Sequence, residues 1–154
     1  KTIEIKPDFF QAHSALGGLL GELGNLEEAE ISYRKAIEIK PDFANAYYNL
    51  GVVLREIGKL QEAETSYRKA IELNPDLAVA HSNLGTILKD LGKLKEAELS
   101  YRKAIELNPD LAEAHFNLGS IFKALGKKME SNECYKKSIS LKPWNISAAW
   151  RINS

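Results

Sequence analysis

The sequence predicts an all-α solenoid of stacked antiparallel helix pairs, and three observations carry that expectation. The prolines Pro7, Pro41, Pro75, Pro109 and Pro143 each stand 34 residues after the last. A glycine divides each period, at Gly24, Gly58, Gly92 and Gly126. On either side of it runs an amphipathic stretch of about 15 residues with apolar side chains at helical spacing. The repetition reaches the wording itself: SYRKAIELNPDLA occupies 66–78 and, unchanged, 100–112. A fixed period of this length sets the architecture before any local propensity is weighed.

Taken in order, residues 1–9 read as the end of a preceding repeat, since IEIKPD at 3–8 matches the close of a second helix. Four repeats follow at 10–43, 44–77, 78–111 and 112–145, and 146–154 reads as the start of a further or capping helix. The chain is therefore expected to be a piece of a longer array. In the second repeat the first helix carries Ala46, Leu50, Val53, Leu54 and Ile57 on one face, and the second carries Leu60, Ala63, Tyr67, Ala70 and Ile71. The dividing glycine suits the left-handed residue that ends a helix. Each KPD or NPD triplet closes the hairpin, with proline stopping the second helix and aspartate capping the next first helix. Asp8 with Gln11, and Asp110 with Glu113, have capping-box spacing.

One hairpin cannot bury its apolar stripe alone, so neighbours must stack. Gly51, Ala63 and Ala70, with their equivalents one period away, remove bulk where helices cross. Tyr33, Tyr67, Tyr101 and Tyr135 supply the large side chain beside them. Repeat one departs from the pattern by placing Gly18 and Gly21 beside Gly17 in one helix, which predicts its softest element. Repeat four replaces the two packing alanines by Ser131 and Ser138, as expected near the end of an array or against another domain.

Composition narrows the function. The 154 residues are 44% hydrophobic and 27% charged, a folded composition, and 21 basic residues balance 21 acidic ones. A zero net charge argues against a nucleic-acid partner. No apolar run approaches the roughly 20 residues of a membrane span, so no membrane partner is expected. Cys134 is the only cysteine, which excludes an internal disulfide and leaves the cytoplasm as the default location. It aligns with Ser32, Ser66 and Ser100 and has no histidine partner by sequence logic, so it is not read as a nucleophile. His13, His81 and His115 share a position that Tyr47 fills in repeat two. At about 10 Å between helices His81 and His115 are too far apart to share a metal, and the three read as ring-shaped packing residues. The recurring Glu30/Arg34, Glu64/Arg68 and Glu98/Arg102 pairs read as i,i+4 ion pairs on a solvated face. No acid–base pair, metal cluster or phosphate loop stands out, so the expectation is a non-enzyme without cofactor or metal.

Large residue, Leu, Gly, Leu, Gly, Ala, Tyr, Ala and Pro occupy positions 4, 7, 8, 11, 15, 20, 24, 27 and 32 of the period, as Tyr47, Leu50, Gly51, Leu54, Gly58, Ala63, Tyr67, Ala70 and Pro75 in repeat two. This pattern resembles the tetratricopeptide repeat (TPR) signature over about residues 10–143. Its wording is most similar to the TPR superhelix of O-linked N-acetylglucosamine transferases and their bacterial relatives, of which these residues carry only the scaffold and no glycosyltransferase domain. The resemblance implies a right-handed superhelix of antiparallel helix pairs, whose first helices line a concave groove for a peptide or protein partner.

That resemblance directs attention to the inner positions of the first helices. Position 6 holds Ala15, Asn49, Asn83 and Asn117. In the resembling transferases an asparagine ladder there holds the target by its backbone, and a carboxamide offers both an acceptor and donors for that purpose. With helices roughly 10 Å apart and an extended chain advancing about 3.3 Å per residue, one rung serves three peptide residues. Around the ladder, repeat two presents Asn45, Tyr48, Val52, Arg55 and Glu56, and repeat three Val79, Ser82, Thr86, Lys89 and Asp90. Repeat four adds Glu113, Phe116, Ser120 and Lys123, with Tyr48 and Phe116 as aromatic anchors. Repeat one offers Gln11, Ser14, Gly18, Gly21 and Glu22, a stretch nearly bare of side chains. The carboxylate clamp by which some TPR domains grip chaperone C-termini finds no matching register. The expected function is a protein-interaction scaffold. The alternatives are a spacer that self-associates end to end, or a substrate-presenting region of a larger enzyme such as a glycosyltransferase.

Overall fold

A computed structural model describes residues 9–142. Every regular element among them is a helix: α1 (Phe9–Glu22), α2 (Leu26–Ile39), α3 (Ala44–Ile57), α4 (Leu60–Leu73), α5 (Ala78–Asp90), α6 (Leu94–Leu107), α7 (Ala112–Ala124) and α8 (Lys128–Leu141). The helices pair as hairpins, α1 with α2, α3 with α4, α5 with α6 and α7 with α8. They fall into two compact units divided between Pro75 and Asp76. In the first unit α2 also packs on α3, and in the second α6 packs on α7. The fold class is an all-α solenoid of antiparallel helix pairs. The expected further helix at 146–154, and the expected end of a preceding repeat at 1–9 apart from Phe9, lie outside the described residues.

The dividing glycines do what their spacing implied. Gly58 has φ +92°, a left-handed backbone that a side chain would strain. Its N–H reaches the Arg55 carbonyl at 3.0 Å, and the next N–H, of Lys59, reaches Leu54 at 2.8 Å, so the last turn of α3 is sealed. At the other end of the hairpin, proline acts through the residue before it. Asn74 and Asn108, each preceding a proline, have extended backbones (φ −140°, ψ 91° and φ −142°, ψ 94°) and end α4 and α6.

The N-cap position, however, is not the aspartate. The residues at the start of α3, α5 and α7 are Phe43, Leu77 and Leu111, whose side chains make no cap hydrogen bond. Asp110 instead donates its backbone N–H to Asn108 Oδ1 at 3.1 Å, so the polar turn closes on itself one residue before the helix begins. The Asp110–Glu113 capping box is thereby corrected, and Asp8 lies outside the described residues. The physical reason is that half-burying Phe43, Leu77 or Leu111 recovers more than the roughly 1 kcal/mol of a cap bond.

The core is an interlock of small and large side chains. Ala63 and Ala70 in unit one, and Ala97 and Ala104 in unit two, are fully buried, as are Tyr67 and Tyr101. Each tyrosine lies across a glycine of its partner helix. A β-carbon added at Gly85 would stand 2.9 Å from the Tyr101 ring, and at Gly119 2.8 Å from Tyr135. The serines of the last hairpin keep the same places at unequal cost. Ser131 donates to the Gly119 carbonyl at 2.8 Å, whereas Ser138 Oγ is buried with no partner among the described residues.

Candidate functional site: the first-helix face of each unit

In unit one the face of interest is carried by α1 and α3. Gly18, Gly21 and Glu22 on α1 and Asn49, Val52 and Glu56 on α3 line a cleft of about 290 Å³. Tyr33 of α2 and the buried Val53 complete its walls. Asn49, Val52 and Arg55 are half-buried, and Asn45 is exposed. The Tyr48 ring tilts against Tyr67 at 5.9 Å between centroids, so this anchor is half-buried and its ring is braced by the hairpin.

In unit two, α5 and α7 carry the equivalent positions. Asn83, Thr86 and Lys89 are half-buried, and Glu113 is exposed. Thr86 donates to the Ser82 carbonyl at 3.3 Å and stands 2.9 Å from the Tyr101 hydroxyl. Ser120 repeats the arrangement, donating to the Phe116 carbonyl at 3.2 Å and standing 3.2 Å from the Tyr135 hydroxyl. Position 9 therefore holds a tyrosine of the second helix as well as facing outward, a role its spacing did not announce. Phe116 tilts on Tyr135 at 5.5 Å, matching Tyr48 on Tyr67. Two positions are more deeply set than their place on the inner face suggested: Ser82 and Asn117 are each only 8% exposed. Ser82 is short, and α7 is buried over much of its circumference.

A larger cleft, about 490 Å³, opens on the opposite side of α3, where Tyr47 and Leu50 meet Ile37 of α2 and Thr65 of α4. Size alone would favour it, but both of its cations are already paired. Arg34 pairs with Glu30 and Glu62, each at 2.8 Å, and Lys69 with Glu72 at 2.8 Å. In the smaller cleft neither Glu22 nor Glu56 has an ion-pair partner among the described residues. Two carboxylates unpaired with any cation among the described residues, beside the half-buried Asn49 on the first-helix face, make the smaller cleft the better candidate.

The Glu30 pair corrects the reading of a solvated ion-pair face. Glu30 is only 9% exposed and binds Lys59, from the next hairpin's turn, at 3.0 Å as well as Arg34. Burial pushes its carboxyl up, but hydrogen bonds and charge from Arg34 and Lys59 outweigh that and hold it below the ordinary range. The network fastens one hairpin to the next inside unit one. The histidine positions are packing positions too: His115 Nε2 donates to the Pro109 carbonyl at 2.8 Å, and His13 tilts against Phe9 at 6.3 Å. Burial pushes the Cys134 thiol up to about 11. Among the described residues no group of three or more His, Cys, Asp or Glu is placed to hold a metal ion, and no helix is long and apolar enough to cross a membrane.

Comparison with known proteins now adds to this geometry. A TPR repeat profile matches residues 18–56 and 85–126, and further tetratricopeptide repeat profiles match 44–77, 66–98 and 112–143. The chain belongs to the tetratricopeptide repeat family. No curated protein sequence matches it. Among solved structures it is similar to a MamA protein at 26% identity and TM-score 0.88, covering 94% of this chain and 79% of that one. It is also similar to pilF of Pseudomonas aeruginosa at 28% identity and TM-score 0.85, covering 94% of this chain and 66% of that one. MamA 41-end of Desulfovibrio magneticus RS-1, at 21% identity and TM-score 0.87 over 94% and 82% of the two chains, shares the fold. As a TPR chain this protein is a protein-interaction scaffold, and its partners are proteins.

Proposed function

We propose that the first-helix face of each unit holds an extended segment of a partner protein, gripped through its backbone by asparagine carboxamides. The observation that supports this reading is the open cleft between α1 and α3, where Asn49 stands half-buried beside Val52 with no partner among the described residues. In unit two Asn83 is the better-placed rung, and the 8% exposure of Asn117 makes it a lesser one. Tyr48 and Phe116, braced by Tyr67 and Tyr135, offer rigid apolar surface for the segment's side chains. The grip is chiefly on backbone and so tolerates many sequences. The chain acts by binding and not by catalysis.

The test is calorimetric titration with an uncharged peptide of alternating serine and alanine. Replacing Asn49, Asn83 and Asn117 together by Ala is expected to weaken binding about tenfold or more, since several hydrogen bonds of roughly 1 kcal/mol are lost. Helicity should be unchanged. Equal affinity for the two proteins rejects the ladder.

A second reading, association of the chain with itself, draws on one observation. Phe9, Leu16 and Leu19 of α1 are 51%, 45% and 55% exposed, and Leu23 just beyond the helix is 66% exposed; the helical three share one side of α1. Light scattering across a concentration series checks it: a rising mass that Leu16→Lys with Leu19→Lys abolishes supports association, and a constant mass rejects it.

A further inference from the structure

Position 9 of the first helix is a small change with a chemical consequence. In unit two it is Thr86 or Ser120, and each hydroxyl meets the tyrosine hydroxyl beneath it. In the first hairpin it is Gly18, and the Tyr33 hydroxyl lies under it, 3.5 Å from where a β-carbon would stand. The Tyr33 side chain is only 5% exposed, and its hydroxyl tip comes out at the cleft beside Gly18. Gly21, one turn on, would meet nothing within 4 Å, so the cleft is open where other hairpins carry side chains. A largely buried tyrosine that brings its hydroxyl to an open cleft beside carboxylate and carboxamide acceptors makes a place for a ligand.

The other groups around it decide which ligand. Glu22 and Glu56 bring two carboxylates with no ion-pair partner among the described residues, and Asn49 brings a carboxamide oxygen. Val52 and the buried Val53 supply an apolar wall. Burial first, and the charge of Glu22 second, push the Tyr33 hydroxyl up from its ordinary range, which keeps it protonated beside those carboxylates. A set of acceptors around an apolar wall suits a cation on a methylene stem. We infer that this cleft is a subsite for one lysine or arginine side chain of the bound segment, its stem on Val52 and its charged head among Glu22, Glu56, Asn49 and Tyr33. The inference rests on the reading of this face as a peptide site, and it adds a charge preference at one hairpin to a grip that is otherwise indifferent to sequence.

The test uses small probes that do not need the rest of the face. Nα-acetyl-lysine methylamide and its arginine and norleucine counterparts are titrated into the isotopically labelled chain, with amide shifts followed by NMR. The lysine and arginine probes are expected to shift Gly18, Gly21 and Val52 and to bind about tenfold more tightly than norleucine, as two carboxylates near one cation allow. Glu22→Gln with Glu56→Gln should reduce that ratio to about one. Gly18→Thr, which gives the first hairpin the side chain of Thr86, should close the cleft to all three probes. Equal shifts from norleucine and lysine, or a ratio unchanged in the double glutamine variant, overturn the subsite. Should the serine–alanine peptide fail to bind while the lysine probe still moves these amides, the backbone ladder fails and the cation subsite stands.

Discussion

The ring of Tyr67 lies so close to the α-carbon of Gly51 that a methyl group there would stand 2.8 Å from Cε1 and 2.9 Å from Cδ1. The contact joins α3 to α4, and its equivalents join the two helices of each other hairpin. It makes the glycine a packing residue, chosen for size. Gly51→Ala is therefore expected to destabilise by about 1–3 kcal/mol through overpacking, despite alanine's better helix propensity. Gly21→Ala meets nothing within 4 Å, so propensity alone should act and stabilise by about 0.5–1 kcal/mol. Urea unfolding of the two variants beside the parent chain checks the opposite signs.

Ser138 offers a second contrast within one helix. Its buried hydroxyl has no partner among the described residues, while Ser131 Oγ donates to the Gly119 carbonyl at 2.8 Å. Ser138→Ala should stabilise by about 1 kcal/mol, and Ser131→Ala should destabilise by about 1 kcal/mol. The same unfolding measurement reads both.

Acid should loosen the junction between the first two hairpins. Glu30 is held below its ordinary range by Arg34 and Lys59 against the opposing effect of burial. A carboxyl depressed in the folded state contributes stability that is complete above its unfolded value, near 4.5, and is lost as pH falls through its folded value. Glu30→Gln removes this contribution. The stability difference between parent and variant should stay constant near neutrality and shrink below pH about 4.5. A difference that does not change down to the acid limit of folding would contradict the network.

Cys134 should be a slow thiol. Burial pushes it up to about 11, so at pH 8 only about one molecule in a thousand carries the thiolate. Alkylation by iodoacetamide at that pH is expected to run on the order of a hundredfold slower than with free cysteine. A rate equal to that of the free thiol would place Cys134 in a different environment.

The parts of the fold that were legible in the sequence are those where a residue type answers to one backbone or packing demand. Gly58 had to be glycine for its positive φ, Pro75 had to follow an extended residue, and Gly51 had to be small beneath Tyr67. What escaped depends on groups distant in sequence. Asp110 looked like a cap because spacing cannot say that Leu111 is the residue the hairpin half-buries. Glu30 looked solvated because Lys59 and Arg34 meet over it only when the hairpins stack. On the first-helix face, Asn49 and Val52 were legible from their position in the period, and both line the cleft. Tyr33 was not, since it belongs to a second helix and reaches that face from beneath. The one signal was Gly18 standing where the other hairpins carry Val52, Thr86 and Ser120.

Which face holds the partner can be mapped directly by following amide shifts as the serine–alanine peptide is added to the labelled chain. Shifts gathered at Gly21, Asn49 and Val52 in unit one, and at Asn83 and Thr86 in unit two, are the expected result. Shifts gathered instead around Ile37, Thr65 and Lys69, beside the larger cleft on the other side of α3, would contradict it.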